Sequence, residues 1–365
     1  MIPELKGEAS LTLGKVIEQT RNNFPDPRFR PQVYLETGQY HQYGINPSPY
    51  SVWITADGIG TKPELAERLS ALNNDPSYFS TLAFDTFAMV ADDEARNGRF
   101  TLGVANIIDV NSADPRVVHY LAQSAKDACD TGQFALLAGE TAELGYRSSG
   151  YGSTRVNWNA VAISLVVPNK LVLGDALRPG QPIVACREKS IRSNGLTRAR
   201  GILEEEYLQT YGYHSKQEYL LDKLAELIPF DEIDGDGVDV IFTLDDIFGH
   251  PVLEQVLIPW HELNPQTTKD LLTPSRIYSP LVYEALGGVD EEKLIDITGM
   301  AHITGGGIPE KMRRLLQPKG LGASLDAVFP DPQGVQKLLA IAEKLPNGEK
   351  LIDDKTACHQ WNRGI

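Results

Sequence analysis

The sequence has few cysteines, no long apolar run and a deficit of basic residues. Its three cysteines are odd in number and far apart, which fits neither a disulfide framework nor a zinc cluster. No apolar stretch approaches the length of a membrane span, and the start, MIPELKGEAS, carries charges where a signal peptide needs an apolar core. These absences predict a cytoplasmic protein with buried or incidental thiols and no membrane partner.

Basic residues are outnumbered by acidic ones, 34 against 49, and the formal net charge is −15. This charge argues against a nucleic acid or an anionic membrane as partner, because both repel an acidic surface. It leaves nucleotides open, since an acidic site can take ATP as its magnesium complex. The expected partners are therefore small molecules.

The composition is that of a globular protein, with 42% hydrophobic and 23% charged residues, and a length of 365 residues predicts two α/β domains. Short apolar runs predict strands in the first half, at 50–55, 102–108, 134–139 and 159–167. Helix-like stretches alternate with loops in the second half, at 197–208, 216–227, 275–286, 309–316 and 333–345. The Pro- and Gly-rich segment 168–188 predicts a domain junction followed by a first strand, which gives domains 1–168 and 169–365.

Residues 302–316, HITGGGIPEKMRRLL, place three glycines directly before a predicted helix. Pro309 suits the first helical position, where its missing N–H removes no hydrogen bond. Gly305, Gly306 and Gly307 can adopt backbone angles closed to other residues, so that successive N–H groups form a nest that attracts phosphate. A flexible turn before a packed helix is the alternative.

The segment ITADGIGTK places Asp57 at the end of a strand and Lys62 a few residues later, with Gly58 and Gly60 in the turn between them. The carboxylate and the ammonium group could serve one magnesium–phosphate group together. A surface turn with a weak ion pair is equally compatible with the sequence.

Two further segments carry acids. In FDTFAMVADDEARNG, Asp92, Asp93 and Glu94 interrupt a mostly apolar helix, where adjacent carboxylates need a compensating cation unless they lie at a solvated helix end. In FALLAGETAELG, a buried strand ends at Gly139, and Glu140, Thr141 and Glu143 follow where α/β sheets bind their ligands. Two acids and a hydroxyl there suit a second metal or substrate shell.

Two more segments precede helices. RSNGLTRARGIL sets Ser193, Asn194 and Gly195 before a helix start, which again favours an anion. LLTPSRIYSPLV combines a Thr-Pro turn with Arg276 and Tyr278. A Pro-initiated helix with a surface arginine explains the second segment as well as a site does.

In their order along the chain, DGIGTK, ADDEARNG, LLAGETAELG, RSNGLTRARGIL, LLTPSRIY and HITGGGIPE resemble the family of phosphoribosylformylglycinamidine cyclo-ligases, from about residue 50 onward. The resemblance implies ATP-dependent cyclisation of formylglycinamidine ribonucleotide to aminoimidazole ribonucleotide in purine biosynthesis, with ATP and Mg²⁺. It also implies the two-domain PurM-like α/β fold. In that fold an N-terminal ATP-binding sheet forms a dimeric barrel with a second copy, and a C-terminal α/β domain packs beside it.

The resemblance assigns roles to residues of this chain. Asp57, Asp93 and Glu140 are the expected metal ligands. ATP and phosphate contacts are expected from Gly58, Gly60, Thr61, Lys62, Gly139 and Thr141. Substrate contacts are expected from Arg192, Ser193, Asn194, Thr304, Gly305, Gly306 and Gly307. His302 and Lys62 are the expected catalytic residues.

Four departures from the family pattern stand beside this match. The segment LETGQYHQYGI ahead of the DG turn offers only Gly38 and Gly44, where the family has a glycine-rich phosphate loop. Arg192 occupies the position of a family histidine, and a permanent cation cannot act as a base near neutral pH. The stretch 204–270 is unusually long, and the family continues past the position of Ile365, which implies a shortened chain or a differently built last layer.

Two alternative functions follow from these departures. One is an ATP-dependent enzyme of the same superfamily that acts on another small substrate. The other is a catalytically silent relative that binds a nucleotide or a partner protein. The acids at positions 57, 93 and 140 favour an enzyme.

Overall fold

The structure is a computed structural model that describes residues 13–37, 40–227, 257–326, 328–346, 352 and 354–361. Gly38 and residues 228–256 of the long stretch therefore lie outside the described residues. The chain begins its described part with helix α1 (Leu13–Thr20) and a small antiparallel pair, β1 (Gln32–Thr37) and β2 (Tyr40–Gly44).

The main sheet has four strands in the order β3-β6-β4-β5. They are β3 (Ser51–Gly58), β4 (Phe100–Val110), β5 (Ala135–Glu143) and β6 (Val156–Val166). β6 is antiparallel to both β3 and β4, and β4 is parallel to β5, so β3, β4 and β5 all run in one direction. The carboxyl ends of these three strands therefore meet at one edge of the sheet, where ligands of α/β proteins bind.

One face of this sheet is covered by helices α2 (Pro63–Asn73), α3 (Leu82–Ala95) and α4 (Pro115–Gly132). α3 is buried almost all round, and Phe87 packs edge-on against Trp158 with ring centroids 5.9 Å apart. The opposite face carries exposed apolar side chains, since Ile54 is 63% and Ile107 51% exposed. The pattern of a one-sided sheet follows from the alternation of buried and exposed residues along β6.

The second half contains helices only, as far as the structure describes it. They are α5 (Leu196–Thr210), α6 (Lys216–Leu227), α7 (Trp260–Leu263), α8 (Pro265–Leu272), α9 (Ser279–Ala285), α10 (Gly307–Leu316), α11 (Gln333–Lys344) and α12 (Asp354–Gln360). The apolar faces of α5, α8 and α11 join the same core cluster as α2–α4, with Leu203, Leu271 and Val335 among its buried members. α9 instead packs through Val282 and Tyr283 against a second cluster. Among the described helices, none combines the length and the apolar character needed to cross a bilayer.

The expected elements are largely present. All four predicted strands of the first half and the α/β fold class are confirmed, and the predicted helices of the second half match α5, α6, α9, α10 and α11. Two expectations are wrong in detail. Residues 182–188 form no strand, and α10 begins at Gly307, so Pro309 occupies its third position rather than its first. The domain boundary at residue 168 stays a prediction.

Candidate active site

The turn after β3 is anchored on the sheet and leans on the second half of the chain. Ile59 donates its backbone N–H to the Trp158 carbonyl at 3.0 Å, which ties the turn to β6. Gly60 has a φ of 68°, and a Cβ added there would lie 3.6 Å from the Ser193 carbonyl oxygen. Asp57 is exposed, and its carboxylate accepts the Gly58 N–H at 2.8 Å. The Asp57 carboxylate is therefore available to a ligand.

Lys62 lies under this turn and is completely buried. Its Nζ is 2.6 Å from Asp85 Oδ1 and donates to the Thr273 carbonyl at 2.8 Å. Burial lowers the pKa of Lys62, and the charge of Asp85 opposes that shift. Ser275 also donates to Asp85 Oδ1, so residues of the DGIGTK and LLTPSRIY segments meet at one carboxylate. A phosphate contact of Lys62 stays a prediction.

Arg192 is the centre of a second buried charge network. Its Nη1 is 2.8 Å from Glu188 Oε1 and its Nη2 is 2.9 Å from Asp92 Oδ2, and only 3% of its side chain is exposed. Asp92 Oδ1 accepts the backbone N–H groups of Tyr278 at 2.8 Å and Ser279 at 3.1 Å. Burial raises the pKa of Glu188, against which the Arg192 charge acts. The network fastens α3 to two loops of the second half.

His302 and Asp93 come together at the end of α3. His302 Nδ1 is 3.6 Å from Asp93 Oδ1, and the histidine side chain is 6% exposed. Neither ring nitrogen of His302 has a hydrogen-bond partner among the described residues, and Asp93 also binds Arg96 Nε at 2.7 Å. Burial lowers the pKa of His302, although the contact with Asp93 opposes the shift. A neutral, buried imidazole with unused nitrogens can accept or donate a proton.

Burial alone would raise the pKa of the Asp93 carboxyl group, whereas it lowers the pKa of His302. The interactions of Asp93 with His302 and Arg96 outweigh it and hold the pKa below the usual value. Asp93 is therefore ionised at neutral pH, next to a neutral His302.

The glycine segment forms a tight turn before α10. Gly306 has a φ of 90° and Gly307 one of 61°, both in the left-handed region. The Gly307 N–H donates to the Thr304 carbonyl at 2.8 Å, so this N–H belongs to the turn rather than to an open nest. A Cβ on Gly305 would lie 3.8 Å from Asn194 Oδ1, and Asn194 Nδ2 is buried without a hydrogen-bond partner. The structure thus brings the two expected substrate loops together.

The three acids expected to hold a metal do not all lie close together. Glu140 is exposed and pairs in register with Ile107 on the open face of the sheet, whereas α3, which carries Asp93, packs on the other face. Within the described residues no three His, Cys, Asp or Glu side chains form a group that could hold a metal ion. The exposed Asp57 carboxylate fits a single contact to a magnesium ion that arrives with ATP. The set of Asp57, Asp93 and Glu140 as joint ligands stays a prediction.

The expected ATP contacts lie at the same edge of the sheet. The Asp57 backbone pairs with Ala160, Ala160 with Asn106, and Asn106 with Gly139. This row places the DG turn level with Gly139, although the two are far apart in sequence. Gly60 and Thr61 are exposed and Thr141 is half-buried at this edge.

Sequence reasoning missed Asp85 and the role of Asp92. It named Glu188 as a possible partner of Arg192 only at the surface, whereas the pair is buried. Asp85 and Asp92 are both buried on α3 and are seven residues apart, which is two helical turns. That spacing inside an apolar helix could have indicated one polar face directed at a buried partner. Asn106 was also missed: it is 3% exposed, and neither its amide nitrogen nor its amide oxygen has a partner.

The sequence was then compared with known proteins. It is 27% identical to the phosphoribosylformylglycinamidine cyclo-ligase of Synechococcus sp. (strain CC9902) over 310 residues, which is 85% of this chain and 70% of the relative. It is 26% identical to the enzyme of that name from Pyrococcus furiosus over 303 residues, 82% of this chain and 70% of the relative. The chain is a relative of the phosphoribosylformylglycinamidine cyclo-ligases.

The resemblance carried by the six motifs is thereby confirmed. No protein-family model matches the sequence. Among solved structures, thiamine-monophosphate kinase from Stenotrophomonas maltophilia K279a is 15% identical, with a TM-score of 0.34 over 54% of this chain and 52% of its own.

Proposed function

We propose that the protein is an ATP-dependent cyclo-ligase that converts formylglycinamidine ribonucleotide to aminoimidazole ribonucleotide in purine biosynthesis. The observation that carries this proposal is the meeting of five family motifs along α3. Ser193 lies beside Gly60, Lys62 and Ser275 bind one carboxylate, Asp93 contacts His302, and Asn194 lies beside Gly305. These contacts between motifs that are distant in sequence support a single site.

The reaction joins a phosphate transfer to a ring closure. The formyl oxygen of the substrate takes the γ-phosphate of ATP, ADP leaves, an internal nitrogen attacks the activated carbon, and inorganic phosphate departs with that oxygen. The attacking nitrogen must lose a proton. We propose that the neutral His302 imidazole, beside the ionised Asp93, takes this proton, because its ring nitrogens have no hydrogen-bond partner among the described residues.

The other residues hold the two reactants. We assign Asp57 to the magnesium ion of MgATP and the edge with Gly58, Gly60, Thr61, Gly139 and Thr141 to its phosphates. Ser193, Asn194 and the 304–307 turn are assigned to the phosphorylated substrate. Arg192 is buried between Asp92 and Glu188, so within this proposal it holds the Ser193–Asn194 loop in place from behind.

We also propose that two copies associate through the open face of the main sheet, and that the enzyme works in the cytoplasm. The exposed Ile54 and Ile107 support the first of these proposals, because soluble proteins rarely leave a sheet with such an apolar face uncovered.

A second candidate is an ATP-dependent enzyme of the same superfamily with another small substrate. The observation that favours it is Arg192, whose guanidinium is fixed in a buried network where the family has a histidine. This replacement changes the surroundings of the substrate loop that follows it.

The test is an assay of the purified protein with ATP, Mg²⁺ and formylglycinamidine ribonucleotide. Formation of the imidazole product supports the cyclo-ligase, ATP turnover only with another substrate supports the second candidate, and nucleotide binding without turnover indicates a silent relative. Asp93→Asn is expected to lower kcat by about 100-fold with little change in Tm. The control Asp127→Asn removes an α4 carboxylate that accepts from Gln123 and should leave both unchanged. A parallel loss of activity and Tm in Asp93→Asn would make Asp93 structural.

A further inference from the structure

Helix α12 ends against the starts of two other helices. Gly195 caps the start of α5, and a Cβ there would lie 2.4 Å from Trp361 Cδ1. Gly307 is the first residue of α10, and a Cβ there would lie 2.0 Å from the Cys358 carbonyl oxygen. Only glycine permits approaches this close, so the end of α12 lies directly on both helix starts.

Trp361 makes the contact to α5 specific. Its side chain is fully buried, and its Nε1–H donates to the Gly195 carbonyl at 3.1 Å. The same carbonyl accepts the N–H groups of Arg198 and Ala199, each at 3.1 Å, which form the first turn of α5. Trp361 is thus bonded to the peptide group from which α5 begins.

The partial charges at the helix ends also favour the contact of α12 with α5 and α10. The last carbonyl groups of a helix lack partners inside the helix and carry partial negative charge, whereas the first N–H groups carry partial positive charge. The last carbonyls of α12, including those of Cys358 and Gln360, lie next to the starts of α10 and α5. The contact is therefore attractive as well as close.

These two helix starts follow the two loops assigned to the substrate. Asn194 precedes Gly195, Gly305 precedes Gly307, and the two loops already touch through Asn194 and Gly305. We infer that Trp361 is a positioning residue, which fixes the distance between the Ser193–Asn194 loop and the 304–307 turn for a phosphorylated substrate. The inference rests on the proposed function, since that function assigns the loops to the substrate.

Steady-state kinetics of Trp361 variants test this inference. Trp361→Ala is expected to raise KM for formylglycinamidine ribonucleotide about tenfold and to leave KM for ATP within about twofold. Trp361→Phe should recover most of the loss, because a ring still fills the space beside Gly195. If Trp361→Ala does not fold, Trp361→Leu replaces it with the same expected split between the two KM values.

Trp260→Ala is the matched control. Trp260 is also buried, at 1% exposure, but it packs on the Arg68 guanidinium 4.5 Å away and is not among the nearest neighbours of Gly195 or Gly307. It should lower Tm as Trp361→Ala does, without changing the ratio of the two KM values. Equal rises of both KM values in Trp361→Ala, or the same split in Trp260→Ala, would overturn the inference.

Hydrogen exchange without substrate separates this inference from the proposed function. Amides of residues 193–196 and 304–308 should exchange faster in Trp361→Ala than in wild type, and those in Trp260→Ala should not. Unchanged exchange in both segments would overturn the positioning role whatever the enzyme does. If Trp361→Ala shows this faster exchange but the wild-type protein forms no imidazole product, the positioning role is supported and the cyclo-ligase proposal is rejected.

Discussion

Arg192 shows how one buried cation can serve two carboxylates. Its φ of 55° lies in the left-handed region, which residues other than glycine rarely adopt. The two terminal nitrogens of its side chain bind Asp92 and Glu188. The planar guanidinium supplies two divergent donors from one group, which a lysine cannot do. The backbone strain at Arg192 is thus held by the contacts of its own side chain.

Removing this cation should be costly for the fold. Arg192→Ala is expected to lower the free energy of unfolding by about 3–5 kcal/mol, because two buried carboxylates lose their counter-charge. Arg200→Ala is the control, since Arg200 is 34% exposed and pairs with Glu64 near the surface, where a pair contributes under about 1 kcal/mol. Urea unfolding of both variants measures the difference, and equal losses would contradict the network.

His302 gives a prediction for the pH dependence of the reaction. Burial places the folded pKa of His302 below its usual 6.5, so the ring stays neutral as pH falls past that value. The acid limb of kcat/KM should therefore lie below pH 6.5. His302→Asn should remove that limb together with most of the activity. A limb centred above pH 7 would show that another group titrates.

The same shift bears on stability. A base whose folded pKa is lowered binds fewer protons in the folded state than in the unfolded state. The contribution of His302 to the free energy of unfolding is therefore present above pH 6.5 and is lost as the pH falls below that value.

Glu67 joins α2 to the segment that leads into β6, and it illustrates packing at the scale of elements. Its two oxygens accept the backbone N–H groups of Tyr151 at 2.8 Å and Val156 at 2.7 Å. Burial raises the pKa of Glu67 from 4.5 to about 8, against these two bonds. The folded state therefore holds this proton over a range in which the unfolded chain releases it.

Stability should accordingly fall as pH rises from about 4.5 to about 8, because the folded state binds the additional proton there. Over that pH range, the unfolding free energy of wild type should fall relative to that of Glu67→Gln. Denaturant melts at pH 5 and pH 9 measure it. A difference that is the same at both pH values would rule out titration of Glu67.

The elements that could be predicted from sequence are those with local signals. β6 alternates buried and exposed residues, and Asp114 caps α4 by accepting the Arg116 N–H, so both have a signature within a few residues. The start of α10 at Gly307 had no such signature, because close packing on Cys358 depends on a helix far along the chain. The pairing of Asp92 with Arg192 was missed for the same reason, since the two residues are 100 positions apart in the sequence.

Association of two copies is the prediction at the scale of the molecule. Ile54→Asp places a charge on the open face of the sheet, at a position that is 63% exposed in one copy. Wild type is expected to sediment as a dimer at micromolar concentration and the variant as a monomer with an unchanged circular dichroism spectrum. Leu72→Asp is the control, because Leu72 is 41% exposed on α2, away from that face. A monomeric wild type would refute the dimer.

The site as a whole could be anticipated only through the order of its motifs. Local reasoning left each segment with a plain structural alternative. Arg276 is exposed, as its alternative expected, whereas the ion pair of Lys62 with Asp85 is buried rather than part of a surface turn. The choice between Asp92 and Asp93 depended on which side of α3 faces the second half. That side is set by tertiary packing, which a single sequence does not display.

The position of β6 has a consequence for how the protein is made. β6 is the last strand of the main sheet to leave the ribosome, yet it lies between β3 and β4 and pairs with both. Until it emerges, β3 has no neighbour among the described strands of that sheet, and the turn after β3 lacks its anchor on Trp158. A nascent chain that stalls before β6 would present unpaired strand edges to chaperones or to other copies. The turn after β3 is thus among the earliest parts of the candidate site to be synthesised and among the latest to become ordered.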